Sequence, residues 1–369
     1  MKVIFNNLYL QNKIFYNEFL DSFKKILNKS NFIGGKEVQL FEKKFKKLCN
    51  SKYCISVANG TDALIISLKC LGIKQGDEVI LPAHTWVSTA GAIIAVGAKP
   101  VFVDTDKFFT INTNKIEAKI TKKTKAIIPV HLYGQPCKIE EIVKVSKKYN
   151  LKIIEDCAQA HLTKYKNKIV GNFGHVGTFS FFPAKNIGAL GDAGAIICNN
   201  KKLYSQIKKY KNHGSLNKNE NETFGINSRL DTIQACVLNR KIKKIKKFNS
   251  KRIYFSKIYK RFLQNNSFIQ LPNNRQNGFH TYHQFVIKVK KNRNSLIKFL
   301  RKKNIETGIH YPKMLINLKP YRIFKNGSDF KNCLKYENQI LSLPMHPFLK
   351  IKEIKYVCNS INLFFKRKF

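Results

Sequence analysis

Two hydrophobic periods alternate along the chain. Short apolar runs at 78–81, 100–103, 126–130, 151–155, 177–181 and 194–198 read as buried strands. Between them, residues 62–71, 86–96, 138–149 and 201–211 carry helical spacing, as in Leu64, Ile65, Leu68 and Leu71. Strands apolar on both faces and separated by helices predict an α/β fold, with a mostly parallel central sheet covered by helices on both sides. The first 30 residues read as two short helical pieces or an arm ahead of Gly34-Gly35, a candidate mobile lid. From Asp231 a long basic helical stretch leads to a strand at 283–289, a helix at 294–303 and a final helix at 351–365. This pattern divides the chain into a large domain at 1–249, N-terminal arm included, and a smaller C-terminal α+β domain at 250–369. With 43% hydrophobic residues in 369, both can build a core.

Chemistry-bearing residues cluster in the loops of this pattern. Lys185 lies among apolar and small residues in Phe179-Ser180-Phe181-Phe182-Pro183-Ala184-Lys185-Asn186-Ile187-Gly188, although the chain otherwise spends lysine on polar faces. A desolvated lysine has a depressed pKa, and its neutral amine attacks aldehydes. Taken singly, Lys185 is equally well read as a surface lysine with a covered stem. Asp156 ends the apolar run Leu151–Glu155, where open α/β sheets gather ligand-binding residues, or it caps a helix; Gln159 follows three residues later. Asn59-Gly60-Thr61 opens a helix whose N-terminal N–H groups suit a phosphate, though the same start is a common cap. Trp86, the only tryptophan, sits in a strand-to-helix loop behind His84; it can stack on a planar ring or belong to the core. An amine, a carboxylate, a phosphate cradle and an aromatic face are together what a pyridoxal 5'-phosphate (PLP) enzyme requires.

The ordered blocks Gly60-Thr61-Asp62-Ala63-Leu64, Pro82-Ala83-His84-Thr85-Trp86, residues 129–135, Ile154-Glu155-Asp156-Cys157-Ala158-Gln159-Ala160-His161, residues 179–195 and residues 227–235 resemble the DegT-type sugar aminotransferases. The resemblance runs from about Phe32 to Met345 and implies the fold-type I, aspartate-aminotransferase-like PLP fold. It implies that Lys185 condenses with the cofactor and serves as acid and base, and that Asp156 pairs with the pyridine nitrogen. By the same resemblance Trp86 stacks on the ring, Gln159 lies near its phenolic oxygen, and Gly60, Thr61 and Ser180 hold the phosphate. Asn227 is implied to reach the phosphate of a neighbouring subunit, so that a homodimer shares its sites. Arg229 is implied to neutralise substrate or phosphate. His84, His131 and His161 lie in motif loops and are candidates to touch the sugar, although loop histidines are more often hydrogen-bonded scaffolding, and His310-Tyr311 is a candidate to bring an edge of the C-terminal domain to it. Dehydratase relatives carry histidine where Lys185 stands, so the lysine points to amino transfer. Residues 131–135, 155–161, 227–231 and 341–347 are similar to the branch that aminates C3 of nucleotide-linked 3-keto-6-deoxyhexoses. A dTDP-sugar with L-glutamate as donor, feeding surface polysaccharide or glycoconjugate assembly, is therefore expected, with C4 amination of a 4-keto sugar as the alternative. Two positions depart from the family pattern: Ala184 before the lysine, and Leu162 where glycine is usual, which is expected to reshape the sugar pocket.

The formal charge of +46 raises a different class, a regulatory or nucleic-acid-binding protein on the same fold. Lysines fall on solvated faces throughout, beside abundant Asn, Ile, Phe and Tyr, as compositional drift would place them. No zinc spacing or aromatic-basic RNA signature appears, so neither a metal site nor a specific nucleic-acid partner is expected. Nine scattered cysteines without a secretory signal point to reduced thiols in the cytoplasm, and no stretch is long enough to span a membrane.

Overall fold

A computed structural model describes residues 1–217, 220–325, 327 and 329–366. Its centre is a seven-stranded sheet in the order β1-β9-β8-β5-β4-β2-β3. These strands are β1 (Tyr53–Val57), β2 (Glu78–Pro82), β3 (Lys99–Val103), β4 (Thr124–Ile127), β5 (Lys152–Asp156), β8 (Val176–Ser180) and β9 (Gly194–Cys198). Neighbours pair in parallel except β9, which runs against both β8 and β1. Two short strands, β6 (Lys164–Tyr165) and β7 (Lys168–Ile169), pair apart from it with β11 (Gly278–Phe279). The expected runs match these strands apart from β1, which the pattern did not reveal, and β4, which stops at Ile127.

The sheet is buried on both faces, as its unbroken apolar runs require. Ile196 and Ile197 show the two-residue period, the first packing into one apolar cluster and the second into another on the opposite side. Helices α4 (Gly60–Cys70), α5 (Val87–Ala95) and α7 (Lys201–Tyr210) cover one side. The other carries α3 (Gly35–Cys49), α6 (Ile139–Lys148) and α8 (Thr232–Lys241). The start of α4 is set by Asn59, whose side-chain oxygen accepts the Asp62 N–H at 2.8 Å.

The N-terminal residues form α1 (Leu8–Lys13) and α2 (Tyr16–Lys29), separated by a short turn. Phe15 and Phe19 pack with Val237 of α8 and with Phe248 of α9 (Ile245–Leu263), so this segment lies against the body. A second core gathers Phe255, Tyr259 and Leu263 of α9 with the sheet β10-β12-β13 and helices α10 (Arg293–Lys302) and α12 (Ile351–Lys366). Those strands are β10 (Ile269–Gln270), β12 (Phe285–Val289) and β13 (Ile340–Leu343), and α11 (Lys331–Gln339) precedes the last. The expected division at Asn249 falls inside α9, whose Ile245 belongs to the core of the large sheet. Val3 packs in the second core and bridges to Ile305. All nine cysteines are free thiols. Among the described residues, no helix is long and apolar enough to cross a membrane.

Candidate active site

The carboxyl ends of β2, β5 and β8 open into a cavity of about 650 Å³, the position expected for a ligand in an open α/β sheet. Lys185, Asp156, Trp86, Gln159, Gly60, Thr61 and Ser180 all line it, joined by His310 and Tyr311 from the C-terminal lobe.

Lys185 is carried by a loop pinned to the sheet: the Phe181 N–H donates to Ala193 O and the Ala189 N–H to Phe181 O, each at 2.7 Å. Lys241 adds a bond from its ammonium to Gly188 O at 2.6 Å. Burial holds the Lys185 amine down to about 8, against the opposing attraction of Asp156. Among the described residues no carboxylate lies within ion-pair distance of it.

Asp156 is buried at the end of β5. Its carboxylate accepts from Thr89 Oγ1 at 3.0 Å and from the Ala158 N–H at 3.1 Å, while burial raises its pKa. Thr89 Oγ1 spends its proton on the carboxylate, so Thr85 Oγ1, 3.0 Å away, must donate to it. Neighbouring Glu155 clamps the strand end. Its two oxygens accept from the N–H groups of Gly171, Phe173 and Gly174 at 2.7–2.8 Å and meet His131 Nε2 at 3.0 Å. Cys157 Sγ lies within 4.8 Å of this pair, whose carboxylate already accepts three main-chain N–H groups.

Trp86 is 53% exposed, with its ring 5.1 Å from that of Tyr311. Gln159 is held at both ends: its oxygen accepts the Tyr133 N–H at 2.7 Å and its nitrogen donates to Tyr311 Oη at 2.8 Å. At the head of α4, a Cβ added to Gly60 would stand 2.7 Å from Ser180 Cβ, so only glycine permits this approach. Thr61 Oγ1 bonds Ser88 Oγ at 2.9 Å beside it.

Two expected substrate residues lie elsewhere. His84 is buried behind the pocket, its Nε2 3.1 Å from His310 O and 3.0 Å from Tyr133 Oη, and burial takes its pKa to about 4. A carbonyl only accepts, so Nε2 carries the proton and His84 supports the His310 main chain instead. His161 packs against Phe45, Phe179 and Phe181. Neither of its nitrogens has a partner in hydrogen-bonding geometry, although the Ser180 main chain lies near, and burial lowers its pKa to about 3. Leu162 likewise turns into the core, not the pocket. Its φ of +63° is left-handed, a conformation that favours the glycine expected at this position. Asn227 is exposed and Arg229 half-buried, both outside the cavity lining. Ser228 between them donates to Asp62 Oδ2 at 2.7 Å and accepts the Ala58 N–H at 3.1 Å, tying this segment to the head of α4. Thr89, Thr85, Tyr133 and His283 were not anticipated, because hydroxyls in or beside a helix and a histidine just ahead of a strand carry no sequence mark of their direction.

The residues suit PLP. The cavity offers an amine with no acid paired to it, a buried carboxylate, an uncovered indole and a helix N-terminus whose approach a Cβ would block. Comparison with known proteins agrees. The DegT/DnrJ/EryC1/StrS aminotransferase family profile matches residues 14–362. The chain is 41% identical to the dTDP-3-amino-3,6-dideoxy-α-D-galactopyranose transaminase of Aneurinibacillus thermoaerophilus, over 95% of this chain and 96% of that protein. Among solved structures, S. venezuelae DesV in complex with a ketimine intermediate superposes with a TM-score of 0.95 at 31% identity, covering 98% of each chain. Bacillus subtilis NtdA with bound cofactor PMP gives 0.92 at 31%, over 99% of this chain and 85% of that one.

Proposed function

Because the chain belongs to the DegT/DnrJ/EryC1/StrS aminotransferase family and is a PLP-dependent sugar-nucleotide transaminase, we propose that it moves the amino group of L-glutamate onto C3 of a dTDP-linked 3-keto-6-deoxyhexose. The observation that carries the chemistry is the shared cavity: an amine held near 8 by burial and a buried carboxylate at a strand end. The sugar and the position of amination draw support from the 41% identical relative.

Bound PLP supplies an electron sink for the carbanion formed at the reacting carbon. Asp156, oriented by Thr89 and the Ala158 N–H, would hold the ring nitrogen of the cofactor and favour its protonation. Trp86 and Gln159 would hold the ring, and Gly60, Thr61 and Ser180 would hold the phosphate at the head of α4. The Lys185 amine, substantially neutral near pH 8, removes the α-proton of the amino donor and returns a proton on the sugar side. His310 and Tyr311, brought in by the C-terminal lobe, border the sugar, while Arg229, outside this lining and next to Asn227, would meet the phosphate or substrate of a neighbouring copy.

Asn227 of each chain reaches the phosphate in a neighbouring copy, making a homodimer with shared sites. Support comes from its exposure beside the anchored Ser228, and from exposed Phe182, Leu190 and Phe224, 97% exposed in the last case. The cytoplasm, where sugar nucleotides and reduced thiols coexist, is the proposed location.

The test supplies PLP, glutamate and separate dTDP-3-keto and dTDP-4-keto-6-deoxyhexoses, with UDP- and GDP-linked keto sugars in parallel, and locates the new amine by NMR. An amine at C4 alone, or transfer only to a UDP- or GDP-sugar, refutes the specificity. Absence of a visible PLP band, with tight duplex DNA binding in its place, would favour the regulatory alternative.

A further inference from the structure

A buried chain of hydrogen bonds fixes the proton on an imidazole that faces the same cavity. Asn249 Nδ2 donates to His161 O at 2.9 Å, and a carbonyl leaves no other choice of direction. The amide of Asn249 is thereby oriented, and its oxygen accepts Asn186 Nδ2 at 2.8 Å. Asn186 in turn presents its oxygen to His283 Nδ1 at 3.0 Å. His283 Nδ1 must therefore carry the hydrogen. Burial and the nearby Lys185 and Arg252 cations keep the ring neutral, with its pKa well below the ordinary range, so Nε2 holds a bare lone pair.

The ring is also fixed at its main chain, where Arg252 Nη1 donates to His283 O at 3.3 Å and to Met345 O at 2.7 Å. Asn249 and Arg252 stand three apart on α9, so one helix face holds both the side chain and the backbone of His283. His283 is 8% exposed and lines the cavity with Lys185, the residue before Asn186. Its Nε2 has no partner among the described residues, yet it is not sealed as the nitrogens of His161 are. A locked acceptor at the wall of a binding cavity calls for a donor from the ligand.

Given the sugar-nucleotide function proposed above, the ligand chemistry narrows the choice. The carboxylates of the amino donor and the diphosphate of the nucleotide only accept, and the donor's amine is the group transferred. The nucleoside's own donors lie beyond the diphosphate, so near the reacting carbon, where His283 and Lys185 line the cavity, a hydroxyl of the sugar ring remains. We propose that His283 is a specificity-determining residue that accepts a hydrogen bond at Nε2 from a hydroxyl of the keto sugar, with Asn186 and Asn249 as positioning residues that set its tautomer.

The two half-reactions separate this role from a general one. The holoenzyme and its His283→Asn and His283→Gln variants are assayed with glutamate alone, by the change in cofactor absorbance, and then with the keto sugar. Asparagine keeps a donor for Asn186 but removes the Nε2 acceptor, whereas the glutamine carbonyl extends far enough to replace it. Loss of one hydrogen bond to a desolvated group predicts that kcat/KM for the sugar falls roughly 10- to 100-fold more than for glutamate in His283→Asn. His283→Gln is expected to recover part of that difference. Equal losses in both halves, or no loss in either, overturn the proposal. Independently of any substrate, NMR of ¹⁵N-histidine-labelled protein, assigned with His283→Asn, should show Nδ1–H and a bare Nε2, and Asn249→Ala should mix the tautomers. A protonated Nε2 in the native protein also overturns the inference. If the native enzyme aminates no keto sugar while the tautomer is as stated, the substrate assignment has failed and the hydroxyl role falls with it, whereas the locked imidazole stands.

Discussion

Replacing Lys185 by methionine should make the cofactor-free protein more stable. Burial lowers the amine from 10.5 to about 8, and no carboxylate in ion-pair contact offsets it. At 1.36 kcal/mol per pKa unit, the charged amine costs the folded state roughly 3 kcal/mol at pH 7. The sign follows from proton counts. Between pH 8 and 10.5 the unfolded chain binds more protons at this site than the folded one, so the native enzyme gains stability as pH rises through that window. Below pH 8 the full cost is present. Lys185→Met, which keeps the stem and removes the charge, should therefore raise the Tm of apoprotein at pH 7 by roughly 4 °C for a chain of 369 residues. The advantage should fall to about half by pH 9.5. Scanning calorimetry of both apoproteins from pH 7 to 9.5 measures it. A variant no more stable at pH 7, or one whose gain stays constant across the range, would show that the amine is not desolvated and would remove the physical basis for its nucleophilicity.

Thr89→Val removes a charge-assisted donor from Asp156 and should weaken PLP binding about 10- to 50-fold, with Thr89→Ser near native, as read by titrating apoprotein in the visible band. Gly60→Ala places a Cβ 2.7 Å from Ser180 Cβ and should lower cofactor affinity at least tenfold; unchanged affinity would mean that α4 can withdraw freely. His161→Phe should stabilise the protein by about 1–2 kcal/mol at pH 7, since two nitrogens buried without partners are removed. The same variant should resist acid better. The native imidazole stays neutral in the folded state down to about 3 but takes a proton in the unfolded chain below 6.5, so native stability drops as pH falls from 6.5, and denaturation midpoints from pH 7 to 4 should fall less steeply in the variant.

The sheet was legible because burial on both faces forces unbroken apolar runs; β9 spans 194–198 as the pattern implied. Tyr53–Val57 escaped because Ser56 breaks its short apolar run, although all but Tyr53 are buried. Lys185, Asp156 and Gly60 were readable for a related reason: each breaks the rule of its surroundings, a charge among apolar residues or a glycine where a helix begins. Loop histidines break no such rule. His84 and His161 occupy motif loops but point inward, and only tertiary packing decides which way a loop side chain faces. His283 sits in an ordinary strand approach, and its direction depends on partners about 34 and 97 positions away in sequence.

Helix α9 contributes Ile245 to one apolar interior and Phe255, Tyr259 and Leu263 to the other. Neither half can be excised by cutting near residue 249 without baring a greasy flank on both fragments. The two lobes must therefore be made, melted and cleared as one object, and damage to the carboxyl-terminal third will register in the cofactor cleft even where it touches no ligand.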